Sequence, residues 1–203
     1  MTTRNPQLTR ERLLQTAFQE IHAHGYQGMR VDEVLRQSNL QKGAFYHHFN
    51  SKTELAYAVL EEQIAPLLES IWISPLADME DPVRDLPTLL EDLHQHIPPS
   101  MLKYGCPLNN LAQEMSTLDK GFRDRVSTIF DRWSEALAVV FEQAKEQGLI
   151  REDADSDSIA NFLIASLEGC IGVFKVKQSA DYWAACRSQI TAYLESFRPT
   201  DCK

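Results

Sequence analysis

The chain has 203 residues, 43% of them apolar, and a net charge of −9. That composition suffices for a buried core, and such acidity argues against a protein that coats nucleic acid over its whole surface. No apolar run approaches the roughly 18–20 residues a membrane span needs, and residues 1–6 lack the apolar stretch of a secretory leader. The four cysteines, Cys106, Cys170, Cys186 and Cys202, form no C-x-x-C pair. Reduced thiols in a cytoplasmic protein, with no membrane partner, are therefore expected.

The charge is unevenly spread. Residues 1–55 hold seven Lys/Arg against five Asp/Glu, and the remainder holds 13 against 24. A mildly basic head before an acidic body keeps a polyanion at the head.

No segment alternates as a strand does; the apolar periods are helical and are punctuated by Gly and Pro. The spacing of Leu13, Leu14, Ala17, Phe18 and Ile21 predicts a first helix over 10–24 with one buried face, capped by Thr9 and stopped by Gly25. A short second helix is predicted over 31–37, with Val31, Val34 and Leu35 inward. Ser38, Asn39 and Leu40 form a tight turn, and a third short helix covers 41–49. Ser51 to Glu54 reads as a capping box before a long fourth helix, which Pro66 should kink or end. A loop follows over 73–82, and Pro98-Pro99 breaks the chain further on. More helices are predicted over 83–96, 108–116, 121–147, 157–175 and 180–197, with Gly148 as a C-terminal stop and Asp155 or Ser156 as a cap. The fold class is thus all-α, about nine helices: an N-terminal three-helix head with a helix-turn-helix, over residues 1–55, and a C-terminal helical bundle over 56–203.

Two short helices joined by a tight turn and braced by a longer one have helix-turn-helix geometry, in which the second of the pair enters the major groove of DNA. At about 100° per residue, Phe45 and Phe49 share one side of the third helix and should face the core, whereas Gly43 and His47 lie opposite, flanked by Tyr46 and Ala44. Small residues let the backbone approach the groove; Tyr46 and His47 can donate to phosphates or base edges, and Lys42 adds a cation. Ser51 and Lys52, at the start of the fourth helix, can hold a phosphate.

The ordered set Thr9-Arg10-Glu11-Arg12-Leu13-Leu14, Ala17, Gly25-Tyr26, Val31-Asp32-Glu33-Val34, Ser38, Lys42-Gly43-Ala44-Phe45-Tyr46-His47-His48-Phe49 and Ser51-Lys52-x-Glu54-Leu55 resembles the DNA-binding head of the tetracycline-repressor (TetR) family over about 47 residues. The resemblance implies a homodimeric, ligand-responsive repressor bound to a palindromic double-stranded operator. It implies that Gly43, Tyr46, His47 and His48 face or flank DNA and that Lys52 grips a phosphate; Arg30, Val31, Gln41, Lys42 and Ala44 complete the expected DNA-binding set. One departure concerns the second helix. Many members start it with Thr or Ser as a cap; here Arg30 stands before Val31, so the cap is lost or replaced, and Arg30 itself can reach a phosphate.

In the body, Lys103-Tyr104-Gly105-Cys106-Pro107-Leu108-Asn109-Asn110-Leu111-Ala112-Gln113-Glu114 is the most distinctive segment. Pro107 suits a first helical position, which makes Cys106 the N-cap, where a thiolate gains from the helix dipole. The G-C-x-L-x-x-L-A-x-E pattern resembles a TetR branch in which some members respond to electrophiles through a cysteine. A small buried hydrophobe is the other reading of Cys106. The candidates for a reversible-ligand pocket are Trp72, Leu111, Met115, Phe130, Trp133, Glu168 and Phe174, equally the furniture of any helical core. The helix over 157–175 is apolar on two faces, and in this family the last two helices pair with their copies; Phe162, Ile171, Trp183, Ile190 and Tyr193 are the interface candidates.

A thiol-dependent helical enzyme and a helical interaction module that ignores DNA are the rival classes. No P-loop, G-x-G-x-x-G after a strand or G-x-S-x-G occurs. His94 and His96 are two apart and would point to different helix faces, so no metal and no cofactor are expected.

Overall fold

The computed structural model describes residues 6–93 and 97–199. The leader reading of residues 1–5, the spacing argument for His94 and His96, and Cys202 lie outside the described residues. Every regular element among the described residues is helical. The chain divides into two compact units, one of residues 1–67 and 107–129, the other of residues 68–106 and 130–203.

In the first unit, α1 (Pro6–Gly28) buries Leu13, Leu14, Ala17 and Ile21, as the apolar period requires, while Phe18 is only half-buried. Each fully buried aliphatic side chain contributes about 1.5–3 kcal/mol. Gly25 interrupts α1 with φ 76° and ψ 168°, a backbone that L-residues with side chains rarely adopt. The helix then resumes for one more turn, three to four residues beyond the expected stop.

The next helices are α2 (Val31–Ser38), α3 (Lys42–His48) and α4 (Lys52–Val59). Arg30 precedes α2 without any side-chain cap, in keeping with the departure noted above. Asn39 closes α2 in the left-handed region, φ 53°. At α4, Ser51 Oγ accepts the Glu54 amide at 3.0 Å, and Glu54 reaches back to the Asn50 amide at 2.8 Å. The capping box is therefore present, with its return bond displaced by one residue.

α4 does not break at Pro66. It widens into a π-helical stretch (Leu60–Ile64), tightens over Ala65–Leu68 and widens again over Glu69–Ile73. Proline removes one amide and crowds the carbonyl four residues back. A π turn ahead of it carries the chain past that carbonyl without ending the helix.

The first unit is completed by α7 (Pro107–Met115) and the opening of α8 (Lys120–Glu146). The Tyr57 hydroxyl donates to Asp119 Oδ1 at 2.6 Å, and the Phe122 amide donates to the same oxygen at 2.9 Å. This hydrogen bond is the main reason the Tyr57 phenol is pushed up to about 12. Gly121 makes room for this contact: a Cβ at that position would stand 2.1 Å from the Tyr57 oxygen, and the ring would have to shift.

In the second unit, the expected loop over 73–82 contains a 3₁₀ turn (Ser74–Asp78), and α5 (Pro82–Glu91) is capped by Asp81. A short helix absent from the sequence reading, α6 (Pro99–Tyr104), starts straight after Pro98. Its first position suits proline, which is why the Pro98-Pro99 break is also a helix start. α9 (Ser156–Lys177), capped by Asp155, and α10 (Ala180–Glu195), capped by Ser179, complete the unit. Gly148 carries φ 71°, as a C-terminal stop should. The core stacks Trp72 on Trp133 at 5.2 Å between ring centroids.

α9 is long and apolar enough by composition to cross a membrane, at a mean hydropathy of 1.6, although only a third of that stretch is buried. Ile159, Leu163 and Leu167 face the core. On the other side Phe162, Ala165, Gly169, Gly172, Val173 and Val176 form an exposed apolar stripe at helical spacing. An uninterrupted apolar run is lacking because Glu168 and small residues intervene, yet the two apolar faces together raise the average.

Candidate nucleic-acid interface

The helix-turn-helix is built from α2, the turn at Asn39–Leu40, and α3. Phe45 and Phe49 are 1% and 2% exposed and anchor α3 to the head. Phe45 packs against Phe49 with ring centroids 6.1 Å apart. The opposite face of α3 carries Lys42, Gly43 and His47, all exposed, with Tyr46 55% exposed on its flank. Nothing lies within 4 Å of where a Gly43 side chain would begin. The fold therefore has no internal need for glycine at that position.

A groove of about 650 Å³ runs along this face. Gln41, Gly43, Ala44, His47 and His48 form one wall; Pro6, Leu8, Thr9 and Arg12 of α1 and the turn residues Asn39 and Leu40 form the rest. Burial, followed by the nearby charges of His47 and Arg10, pulls the His48 imidazole below the usual histidine range. The sequence reading missed Thr9, Arg12, Asn39 and Leu40. For Arg12 a signal existed, since the face of α1 opposite Leu13 and Ala17 had to point away from the head's core.

Two other basic residues of the head, Arg10 and Arg36, are already engaged. Arg10 makes a two-pronged ion pair with Glu62 and lies over the Phe49 ring at 5.2 Å. Arg36 pairs with Glu33 one turn earlier. Arg30 and Lys42 are exposed, and Val31 is half-buried. Lys52 is held at the start of α4: its Nζ donates to the Gln27 carbonyl at 3.2 Å and sits 4.6 Å above the Tyr26 ring. Burial pulls its ammonium below the usual lysine range, against the opposing influence of Glu114. A cation fixed at a helix N-terminus is equipped to bind a phosphate.

The chain matches known proteins over most of its length. Residues 13–59 match the family described as bacterial regulatory proteins, tetR family, and residues 82–190 match the tetracyclin repressor-like C-terminal domain. The chain belongs to the TetR family. It is 31% identical to the HTH-type transcriptional repressor DhaR of Mycobacterium sp. (strain GP1) over 85% of each protein. A TetR transcriptional regulator from Chloroflexus aurantiacus has the same fold, with a TM-score of 0.84 at 26% identity over 97% of this chain and 98% of that one. The reduced form of Escherichia coli NemR superposes with a TM-score of 0.76 at 25% identity, covering 96% and 99%. This TetR-family protein is therefore a DNA-binding transcriptional regulator and not an enzyme, in a family that binds operators as dimers and senses small molecules.

The body candidates are spread over the two units. Leu111 and Met115 are buried in the first unit, whereas Phe130, Trp133, Glu168 and Phe174 belong to the second. Cys106 is 2% exposed, directly before α7. In the second unit a cavity of about 340 Å³ is lined by Trp72, Leu93, Ile97, Met101, Leu102, Ile171, Phe174, Ala180 and Trp183. Of the sequence candidates for ligand binding, Trp72 and Phe174 line it. The interface candidates also separate: Phe162 is 51% exposed, Ile171, Trp183 and Tyr193 are half-buried, and Ile190 is buried within its own unit.

Proposed function

We propose that residues 1–55 of this regulator read a palindromic operator and that residues 56–203 dimerise and take up an effector. The observation that carries this reading is the two-faced α3, with Phe45 and Phe49 in the core, Gly43 and His47 bare along an open groove, and Tyr46 exposed on the flank. Two such helices about 34–36 Å apart enter successive major grooves. The exposed stripe from Phe162 to Val176 supports pairing of α9 with its copy, because an apolar helix face in water gains by burial against a second chain. Such a dimer would act in the cytoplasm as a repressor.

The test is operator binding by Tyr46→Ala and Lys52→Ala. Lys52→Ala should weaken binding to every duplex alike and reduce the slope of log affinity against log salt by about one. Tyr46→Ala should lower operator affinity with a relaxed sequence preference, at about 1–3 kcal/mol. Unchanged affinity in both variants would sink the assignment.

For the effector we favour the cavity in the second unit. Its walls carry aromatic and aliphatic side chains and no charged one, which suits a neutral, largely apolar molecule. An effector that fits one conformation of the body better than another shifts the population away from the operator-competent dimer. Burial of Cys106 weighs against a thiol route, because a covered sulfur is slow to meet a reagent. With N-ethylmaleimide as the probe, Cys106→Ser should respond like the parent protein; release that disappears in the variant would reverse that preference.

A further inference from the structure

The last residue of the distinctive G-C-x-L-x-x-L-A-x-E segment finds its partners 87 and 88 positions away in the chain. Glu114, on α7, accepts the backbone amide of Tyr26 through Oε2 and that of Gln27 through Oε1, each at 2.8 Å. These are the amides left open where α1 restarts after Gly25, and one carboxylate satisfies both. Gly25 makes room for it: a Cβ there would stand 2.7 Å from Glu114 Oε2, on a backbone already at φ 76°.

The clamped turn is the one that holds Lys52. The Gln27 carbonyl accepts from its Nζ at 3.2 Å, and the Tyr26 ring lies beneath the ammonium at 4.6 Å. Tyr26 is further tied to the start of α4 by the contact between its hydroxyl and that of Thr53 at 2.8 Å. The chain of contacts thus runs from the carboxylate on α7, through the turn in α1, to the cation at the N-terminus of α4, entirely within one compact unit.

We propose that Glu114 is a positioning residue for operator binding, acting through the Tyr26–Gln27 turn to hold Lys52 where it meets a phosphate. The proposal rests on the reading of Lys52 as a phosphate contact. Neither its amide partners nor Lys52 touches Glu114 as a neighbour in sequence, so the coupling exists only in the folded unit. Glu114→Gln presents one N–H group where an acceptor is required, so one of the two amides loses its partner. The turn is then free to move, and the ammonium with it.

The experiment is a double-mutant cycle on the full chain, using a duplex selected by the parent protein from a random pool. Glu114→Gln alone should weaken binding about tenfold, as expected for a lost charge-assisted hydrogen bond, and should reduce the salt slope by about one. In the Lys52→Ala background the same change should cost less than about twofold, because the two residues act on one contact. A tenfold loss that persists in that background, or a loss with an unaltered salt slope, overturns the proposal and leaves the Lys52 reading standing. A Lys52→Ala variant with an unaltered slope overturns that reading and the proposal together. Should Glu114→Gln fail to fold, Glu114→Asp tests the same link: it keeps the charge but is one methylene too short to hold both amides and so loosens the turn that carries Lys52. A reduced salt slope supports the proposal and an unchanged one overturns it.

Discussion

Gly43→Leu should leave the protein at least as stable as the parent while operator binding falls by about 2–3 kcal/mol, roughly 30- to 150-fold. The two effects have opposite signs because they have different causes. Space is open around the position, and its backbone is helical, so a side chain gains the usual advantage over glycine in a helix, about 0.5–1 kcal/mol. That same side chain would stand on the outward face of α3, between the backbone and whatever the groove receives. Thermal unfolding and operator titration on the same preparation separate the two. A variant that binds the operator normally would show that α3 does not approach DNA through this face.

Phe45→Ala should have the larger effect on stability, about 3–5 kcal/mol, from lost burial and the cavity left behind. Against a total of about 5–15 kcal/mol for a typical domain, such a loss is enough to unfold a marginal one. Phe45 is 1% exposed and packs edge-on against Tyr46, with ring centroids 5.1 Å apart, as well as against Phe49. Its removal therefore loosens both the anchor of α3 and the orientation of the exposed Tyr46 ring. Denaturant unfolding followed by helical circular dichroism gives the stability loss. Operator affinity should fall with it, even at temperatures where the variant remains folded. A loss below about 1 kcal/mol would mean that the head tolerates an empty anchor site, outside the range for large-to-small core changes.

The DNA-reading half was legible because its signals are local. A helical face needs side chains three and four apart, a cap needs an oxygen within one turn, and a left-handed stop needs a residue such as glycine. Ser51, Gly25, Phe45 and Phe49 all declare themselves within a few positions of the elements they govern. Pro66 misled only in part. The sequence places the irregularity correctly, but a pair of π turns absorbs it, and that choice depends on how Leu60, Ile64 and Leu68 are buried on either side. α6 went unseen because six residues are too few to show a period.

The amino-acid order alone therefore determined an all-helical chain with a helix-turn-helix head, its capped helices and the two-sided apolar character of α9. Tertiary packing alone decided which apolar residues close the core, which line a cavity, and which are left bare. Leu163 and Phe162 are adjacent and equally apolar, yet one is buried and the other half exposed. It also decided that a glutamate at the end of α7 serves a turn in α1, with Gly25 as the gap that admits it. Hydrogen bonds within a turn are written in the spacing of residues. Those that join positions some 88 apart come into being only when folding has set two helices side by side.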